Sequence, residues 1–327
     1  MADFGGYTRL IAPARIGIGP AELKATLGYL HDIRTSVLIR EQPVFLDMRH
    51  CEHISPAGCI MLAAEVDRCN TLKTNHVNGQ YPLMDRPRAT MAQFGFHEAL
   101  KFNRPRASRA RRPAIRIHSG PKAPVDQGPS IQSTSSMADD LFGDSGFGGK
   151  VGIAISEAME NVQSHAFDLS FPEDPYCLRG RWWMAGLINR ERKEASFYVL
   201  DHGPGIPIVA SKKWSHILQD YWNSAEASYK PRGAPEDRDV LNAVALARKS
   251  GVDTGSHGRG FKTMIDLIDQ WSESGSVQVV SGSARFSLNR PRKGAESRAR
   301  CYRLVNPFPG TLISWKIAAP RHIAAEV

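Results

Sequence analysis

Glu157, Asn161 and His165 follow one another at intervals of four residues, so on a helix they form one polar stripe. A carboxylate and an amide one turn apart can do two jobs. The carboxylate can take a proton from water or a hydroxyl, and the amide oxygen can ligate a hard cation such as Mg²⁺. An amphipathic helix with a wet edge shows the same stripe. A second stretch runs Phe197-Tyr-Val-Leu-Asp201-His-Gly203-Pro-Gly205. Here an apolar strand ends in a carboxylate, and the two glycines let the backbone turn and approach a flat ligand. An ionised Asp only accepts, so Asp201 can read an exocyclic amine such as N6 of adenine and rejects the guanine carbonyl; a plain strand-terminating loop is the simpler alternative.

A third stretch, Thr254-Gly255-Ser-His-Gly258-Arg259-Gly260-Phe-Lys262, is a glycine-rich loop opening a helix. Such a loop offers free N–H groups and the positive end of the helix dipole to phosphates, and Arg259 and Lys262 can add charge-assisted contacts. Thr311, between Gly310 and an apolar strand, supplies a hydroxyl that can complete the hydrogen bonds of a bound base.

The elements that must carry these residues follow from periodicity. Val151, Ile155, Ala158, Met159, Val162 and Ala166 recur at helical spacing, so the helix that bears Glu157 and Asn161 buries one face. Strands are expected at Arg181–Ile188, Ser196–Asp201, Val277–Ser281, Ala284–Leu288, Tyr302–Val305 and Leu312–Ile317, and a helix at Met264–Trp271. Between the second and third stretches, residues 206–253 are long enough to hold a helix of their own, Val240–Lys249. Nearer the N-terminus, Ser36–Ile39 and Pro43–Asp47 read as short buried strands, and Ile60–Cys69 and Pro87–Ala99 as helices.

Two domains are expected from a chain of 327 residues. Residues 1–102 form a small α/β unit, 103–147 a linker, 148–320 a second unit and 321–327 a tail. From Asn103 to Val125 there are seven basic residues, four prolines and no acid, and the following segment is rich in Ser and Gly. That segment is either a solvated connection or an arm that binds phosphates. Lys and Arg total 42 against 33 Asp and Glu, a net charge of +9, which favours an anionic partner. No apolar run approaches the roughly 18 residues of a membrane helix, so a soluble, cytoplasmic protein without a membrane partner is expected. Five scattered cysteines without a C-x-x-C pair make neither a disulfide framework nor a zinc site.

Taken in order, a helix with E-x-x-x-N, a strand with D-x-G-x-G, a long insert, G-x-x-G-x-G before a helix, and a G-T strand together resemble the GHKL ATP-binding family of gyrase B subunits, heat-shock chaperones, histidine kinases and MutL. The resemblance covers about half the chain and is nearest the histidine-kinase and anti-sigma-factor-kinase branches. It implies a two-layer α/β sandwich with a mixed sheet that binds ATP and Mg²⁺. Glu157 is then the general base, Asn161 the metal ligand and Asp201 the adenine reader. Gly203, Gly205, Gly255, Gly258 and Gly260 form the nucleotide loops, and residues 206–253 contain a lid. No pair of long helices with a phosphoacceptor His precedes this region and no transducer domain follows, so neither a histidine kinase nor a strand-passage enzyme is expected.

Val44–Asp47, then Ile54-Ser55-Pro56-Ala57-Gly58 entering a helix, is similar to the STAS fold of anti-sigma-factor antagonists, whose loop is usually D-S-S-G. In this alignment the usual phosphoacceptor position falls on Ala57, and Ser55 stands in place of the Asp. The expectation is a STAS-like unit that docks a protein partner or a second copy rather than one switched by phosphate. The whole chain then reads as an ATPase or Ser/Thr protein kinase that controls a partner by nucleotide state. A different class is also open: a nucleotide-gated module with little turnover that grips nucleic acid through Arg104–Lys122 and Arg285–Arg303.

Overall fold

The computed structural model describes residues 6–74, 76–96, 114–120, 147–162, 181–224, 233–246 and 259–318, with a few isolated positions between them. It is a mixed α/β protein with parallel and antiparallel sheets. The chain divides into two compact units, Met1–Ser119 with Pro172–Leu178 and Trp183–Ala185, and the rest.

In the first unit, β1 (Thr8–Ile11), β3 (Val44–Asp47) and β5 (Val77–Gln80) form a parallel sheet with β3 in the centre, and β2 (Arg15–Ile16) pairs with β4 (His53–Ile54), also in parallel. Parallel neighbours need a crossover, and the helices supply it. α1 (Leu23–Arg34) links the first strands to β3, and α2 (Pro56–Leu72) links β4 to β5. The expected strand at Ser36–Ile39 is instead a π-helical extension of α1 over Thr35–Ile39. Its apolar run buries Val37 and Leu38 as well in a helical turn as it would in a strand, and three apolar residues cannot tell the two apart. The helix expected from Pro87 begins earlier, as α3 (Asp85–Gln93).

The Ser55 loop shows ordinary helix-start chemistry. Ser55 is the N-cap of α2 and its hydroxyl accepts from the Gly58 N–H at 3.0 Å, with Pro56 in the first turn. Gly58 has no room for a side chain, since a Cβ there would lie 2.6 Å from the Ile16 carbonyl oxygen. Ser55→Ala is therefore expected to cost about 1 kcal/mol, read as a lower midpoint of chemical denaturation. Asp47, at the end of β3, is buried and held well below the usual carboxylate range, chiefly by the Arg49 side chain and also by Arg9.

The larger sheet has the order β6-β7-β8-β10-β9. β6 (Ala114–Gly120) lies within the stretch read as linker, so that reading is corrected over these seven residues; Ile115 and Ile117 give the run strand character that its flanking arginines mask. β7 (Trp182–Asn189) and β8 (Glu194–Asp201) are joined by a short turn with Lys193 at φ 50°. The four short strands expected near the C-terminus are two long ones, β9 (Ser274–Arg290) and β10 (Arg298–Ala318), paired antiparallel. Gly282 and the Pro307–Gly310 segment look like turns in sequence. In the fold they are bulges, with register shifts between Arg303 and Phe308 and between Phe308 and Thr311.

Helices pack against this sheet. α4 (Phe147–Asn161) carries the expected apolar stripe, with Val151, Ala154, Ile155, Ala158 and Met159 buried. The insert after β8 folds into α5 (Ile206–Lys213), α6 (Ser215–Asn223) and α7 (Asp237–Leu246). These share a core of Ala210, Leu218, Tyr221, Val240 and Ala243 beneath Trp214 and Trp222, so the insert is a packed substructure with more helix than the single one expected. α8 (Arg259–Asp266) runs on through a π-helical turn to Trp271.

Candidate functional site

The strand register decides which side chains meet. Thr311 on β10 lies opposite Asp201 on β8 and, on its other side, opposite Ser281 on β9. The next row inward on the same face is Val199, Ile313 and Val279, and the one after it Phe197, Trp315 and Val277. One polar row thus borders an apolar sheet face. The Phe197 and Trp315 rings stand 5.7 Å apart in that last row.

Above the polar row is a cavity with about 620 Å³ of empty space, counted to its opening. Its floor is Val199, Asp201, Thr311 and Ile313, and α4 gives Ala158 and Asn161, with Val162 directly after it, as one wall. The insert gives Gly205, Ile206, Val209, Trp214 and Val244, and α8 gives Phe261. Apolar sides with a few converging polar groups suit a flat, mostly apolar ligand with a polar edge.

Asp201 is 5% exposed. Its Oδ1 accepts from the Gly203 N–H at 2.7 Å, and the Thr311 backbone also hydrogen-bonds to the carboxylate. Burial outweighs these two bonds and pushes the carboxyl up to about 7. The loop that follows depends on two glycines. Gly205 has φ +89° and a Cβ there would lie 3.0 Å from the Ser281 hydroxyl; Gly310 has φ +124° and a Cβ there would meet the Asp201 carbonyl oxygen at 2.0 Å. Gly310 therefore lets β10 pass directly beside Asp201.

Of the residues singled out by sequence, Asn161, Asp201, Gly205 and Thr311 meet at this cavity. Glu157 is half-buried one turn before Asn161 on α4 and is outside the cavity wall. Gly203 also lies outside the wall and serves as the donor that orients Asp201. Lys262 is exposed and pairs with Asp266 one turn further along α8, so its ammonium is engaged on the helix surface. Arg259 and Gly260 begin α8, which agrees with a glycine-rich stretch opening a helix, and their side-chain surroundings lie outside the described residues. Gly255, Gly258 and His165 fall outside the described residues altogether.

Sequence reading missed Ser281. Its hydroxyl accepts from the Ile206 N–H at 2.9 Å, which satisfies one of the unpaired N–H groups at the start of α5, and it lies 3.0 Å from both the Gly310 carbonyl and the Thr311 hydroxyl. The available signal was a serine among Val277, Val279 and Val280 just before a glycine, but its place opposite Thr311 depends on bulges that no periodicity reveals. Asp237 was missed as well. As the first residue of α7, it accepts from the Ser283 N–H at 2.6 Å and so ties the insert to the Gly282 bulge.

No protein-family model and no curated protein matches this chain. Among the described residues no helix is long and apolar enough to cross a membrane, and no group of three or more His, Cys, Asp and Glu could hold a metal ion.

Proposed function

We propose that residues 148–320 are a GHKL-type two-layer sandwich that binds Mg-ATP in this cavity, and that residues 1–102 are a STAS-like unit through which nucleotide state reaches a protein partner or a second copy in the cytoplasm. The observation that carries the proposal is the convergence of Asn161, Asp201, Gly205 and Thr311 on one apolar cavity. These residues come from separate stretches of chain, each with its own motif. Asp201 and Thr311 offer hydrogen-bond acceptors to the edge of a base, while Val199, Ile313, Val209 and Phe261 give it apolar faces.

The donor set also fits the metal. Asn161 at the wall has an amide oxygen of the hard type Mg²⁺ prefers, and the triphosphate supplies the remaining oxygens, as is usual for this ion. Bound Mg²⁺ would neutralise charge on the phosphates. Glu157, on the same helix face one turn away, is the residue suited to take a proton from water or from a protein hydroxyl. The first course makes an ATPase and the second a Ser/Thr kinase. Incubation of the full chain with γ-labelled ATP separates them: label ends in phosphate or in protein, and label that stays in ATP counts against both.

Binding and chemistry should separate by mutation. Glu157→Ala is expected to keep Mg-ATP affinity within a few-fold and to lose turnover by about 10²–10⁴-fold, the usual worth of a general base. Asn161→Ala is expected to lose the Mg²⁺-dependent part of the affinity as well. Calorimetry with and without Mg²⁺, beside phosphate release, checks both; wild-type turnover in both variants would remove the proposed roles.

One observation favours a nucleic-acid partner as a second reading. Arg298, Arg300 and Tyr302 alternate along β10 on one face, opposite Asn289, Ser287 and Arg285, so the hairpin presents cations and an aromatic ring with no acid in the row. That reading requires polynucleotide affinity that falls steeply with salt. The other basic segment it invokes lies mostly outside the described residues, with Ala114–Gly120 in β6.

A further inference from the structure

The Ser281 hydroxyl has three polar neighbours and one proton. The Ile206 N–H can only donate to it, the Gly310 carbonyl can only accept from it, and the Thr311 hydroxyl can do either. Ser281 is fully buried and Gly310 is buried beside it. One arrangement pairs every group: Ser281 donates to the Gly310 carbonyl and accepts from both Ile206 and Thr311. If Ser281 instead donated to Thr311, the buried carbonyl would lose this bond, and an unpaired buried acceptor is costly.

We propose that Ser281 fixes the Thr311 hydroxyl proton toward the sheet, so that the cavity floor presents two acceptors side by side, the Asp201 carboxylate and the Thr311 oxygen, and selects a 6-amino purine over a 6-oxo purine. Asp201 and Thr311 occupy adjacent strands in one row, and both line the cavity. An amino group carries two protons and can satisfy both acceptors. A ring carbonyl at the same place meets lone pairs on both sides. Ser281 is not part of the cavity wall and acts through Thr311, so it is a positioning residue. The inference rests on the ATP reading and adds a determinant of base choice that touches no ligand.

The test compares Mg-ADP with Mg-IDP, whose base carries a carbonyl in place of the amino group, by calorimetry on the full chain. Wild type is expected to prefer Mg-ADP. In Ser281→Ala the Thr311 proton is free to turn into the cavity and donate to the carbonyl, so the ADP-to-IDP ratio should narrow by about tenfold, the worth of one hydrogen bond; Ser281→Thr should restore it. An unchanged ratio overturns the proposal even if both affinities fall, because a purely structural role weakens both nucleotides alike. Should Ser281→Ala not fold, Thr311→Val carries the same comparison, with a narrowed ratio expected and an unchanged one contrary. Wild-type protein that binds neither nucleotide would defeat the ATP reading itself, and this inference with it.

Discussion

Asp201→Asn is expected to weaken Mg-ADP binding by about 10- to 100-fold, because a buried hydrogen bond to a charged acceptor contributes roughly 1.5–3 kcal/mol. The asparagine keeps the shape and can still accept from the Gly203 N–H, so the loss reports on charge rather than on a collapsed loop. The wild-type effect should also depend on pH in a definite direction. Burial raises the Asp201 carboxyl from 3.8 to about 7, and an amine donates best to the ionised form. Affinity should therefore rise from pH 6 to pH 8 and level off above that. Nucleotide phosphates titrate in the same range, so the signature is the part of the slope that disappears in Asp201→Asn. The ligand-free protein should show the opposite trend in stability. Between about pH 4 and 7 the native carboxyl holds a proton that the unfolded one has released, so this group costs nothing below pH 4 and its full penalty is reached above about 7. Asp201→Asn should flatten that component of the stability profile, measured by denaturant unfolding across the range.

Gly310→Ala should be severely destabilising, at more than about 3 kcal/mol, because two penalties coincide. Its φ of +124° is strained for any residue with a Cβ, and that Cβ would lie 2.0 Å from the Asp201 carbonyl oxygen, where only backbone movement can relieve it. The movement would displace Asp201 and open the row that joins it to Thr311 and Ser281. Gly233 is the control: nothing lies within 4 Å of a Cβ there and its φ is not positive, so Gly233→Ala should be neutral or slightly stabilising. Thermal melting of the two variants side by side checks the contrast. Equal melting temperatures would mean that β10 does not pass beside Asp201 as described.

Local pattern made part of the site legible. The apolar stripe from Val151 to Val162 marks a helix face that must turn inward and leaves Asn161 at its edge, and the run Phe197–Leu200 before Asp201 marks a strand that ends in a carboxylate. Both are short-range signals of period 3.6 or 2, and both elements formed close to their expected bounds. Elsewhere local pattern was ambiguous. Ser36–Ile39 holds only three apolar residues, Val37 to Ile39, and a run that short fits a helical turn as readily as a strand. Gly282 and Pro307–Gly310 suggested turns between four strands, since isolated glycine and proline interrupt a strand pattern in the same way whether the chain turns or bulges.

Ser281 illustrates the deeper obstacle. Its role depends on which residue of β10 lies opposite it, and that register is set by two irregularities between Arg303 and Thr311. A one-residue slip would send its hydroxyl to the other face of the sheet. Lys262 shows the converse case, in which a residue of the right charge at the right spacing is engaged by a neighbour on its own helix. A motif names residue types, and the register and helix facing decide which of them meet.

Photolabelling of the full chain with Mg²⁺ and 2-azido-ATP, followed by mapping of the modified peptides, tests whether this cavity holds the base. Label is expected on peptides that line the cavity, those carrying Trp214, Val244 or Phe261, with protection by unlabelled ATP and loss of labelling in Asp201→Asn. Label confined to other peptides, or labelling of Asp201→Asn equal to that of wild type, would contradict the claim that this cavity holds the base.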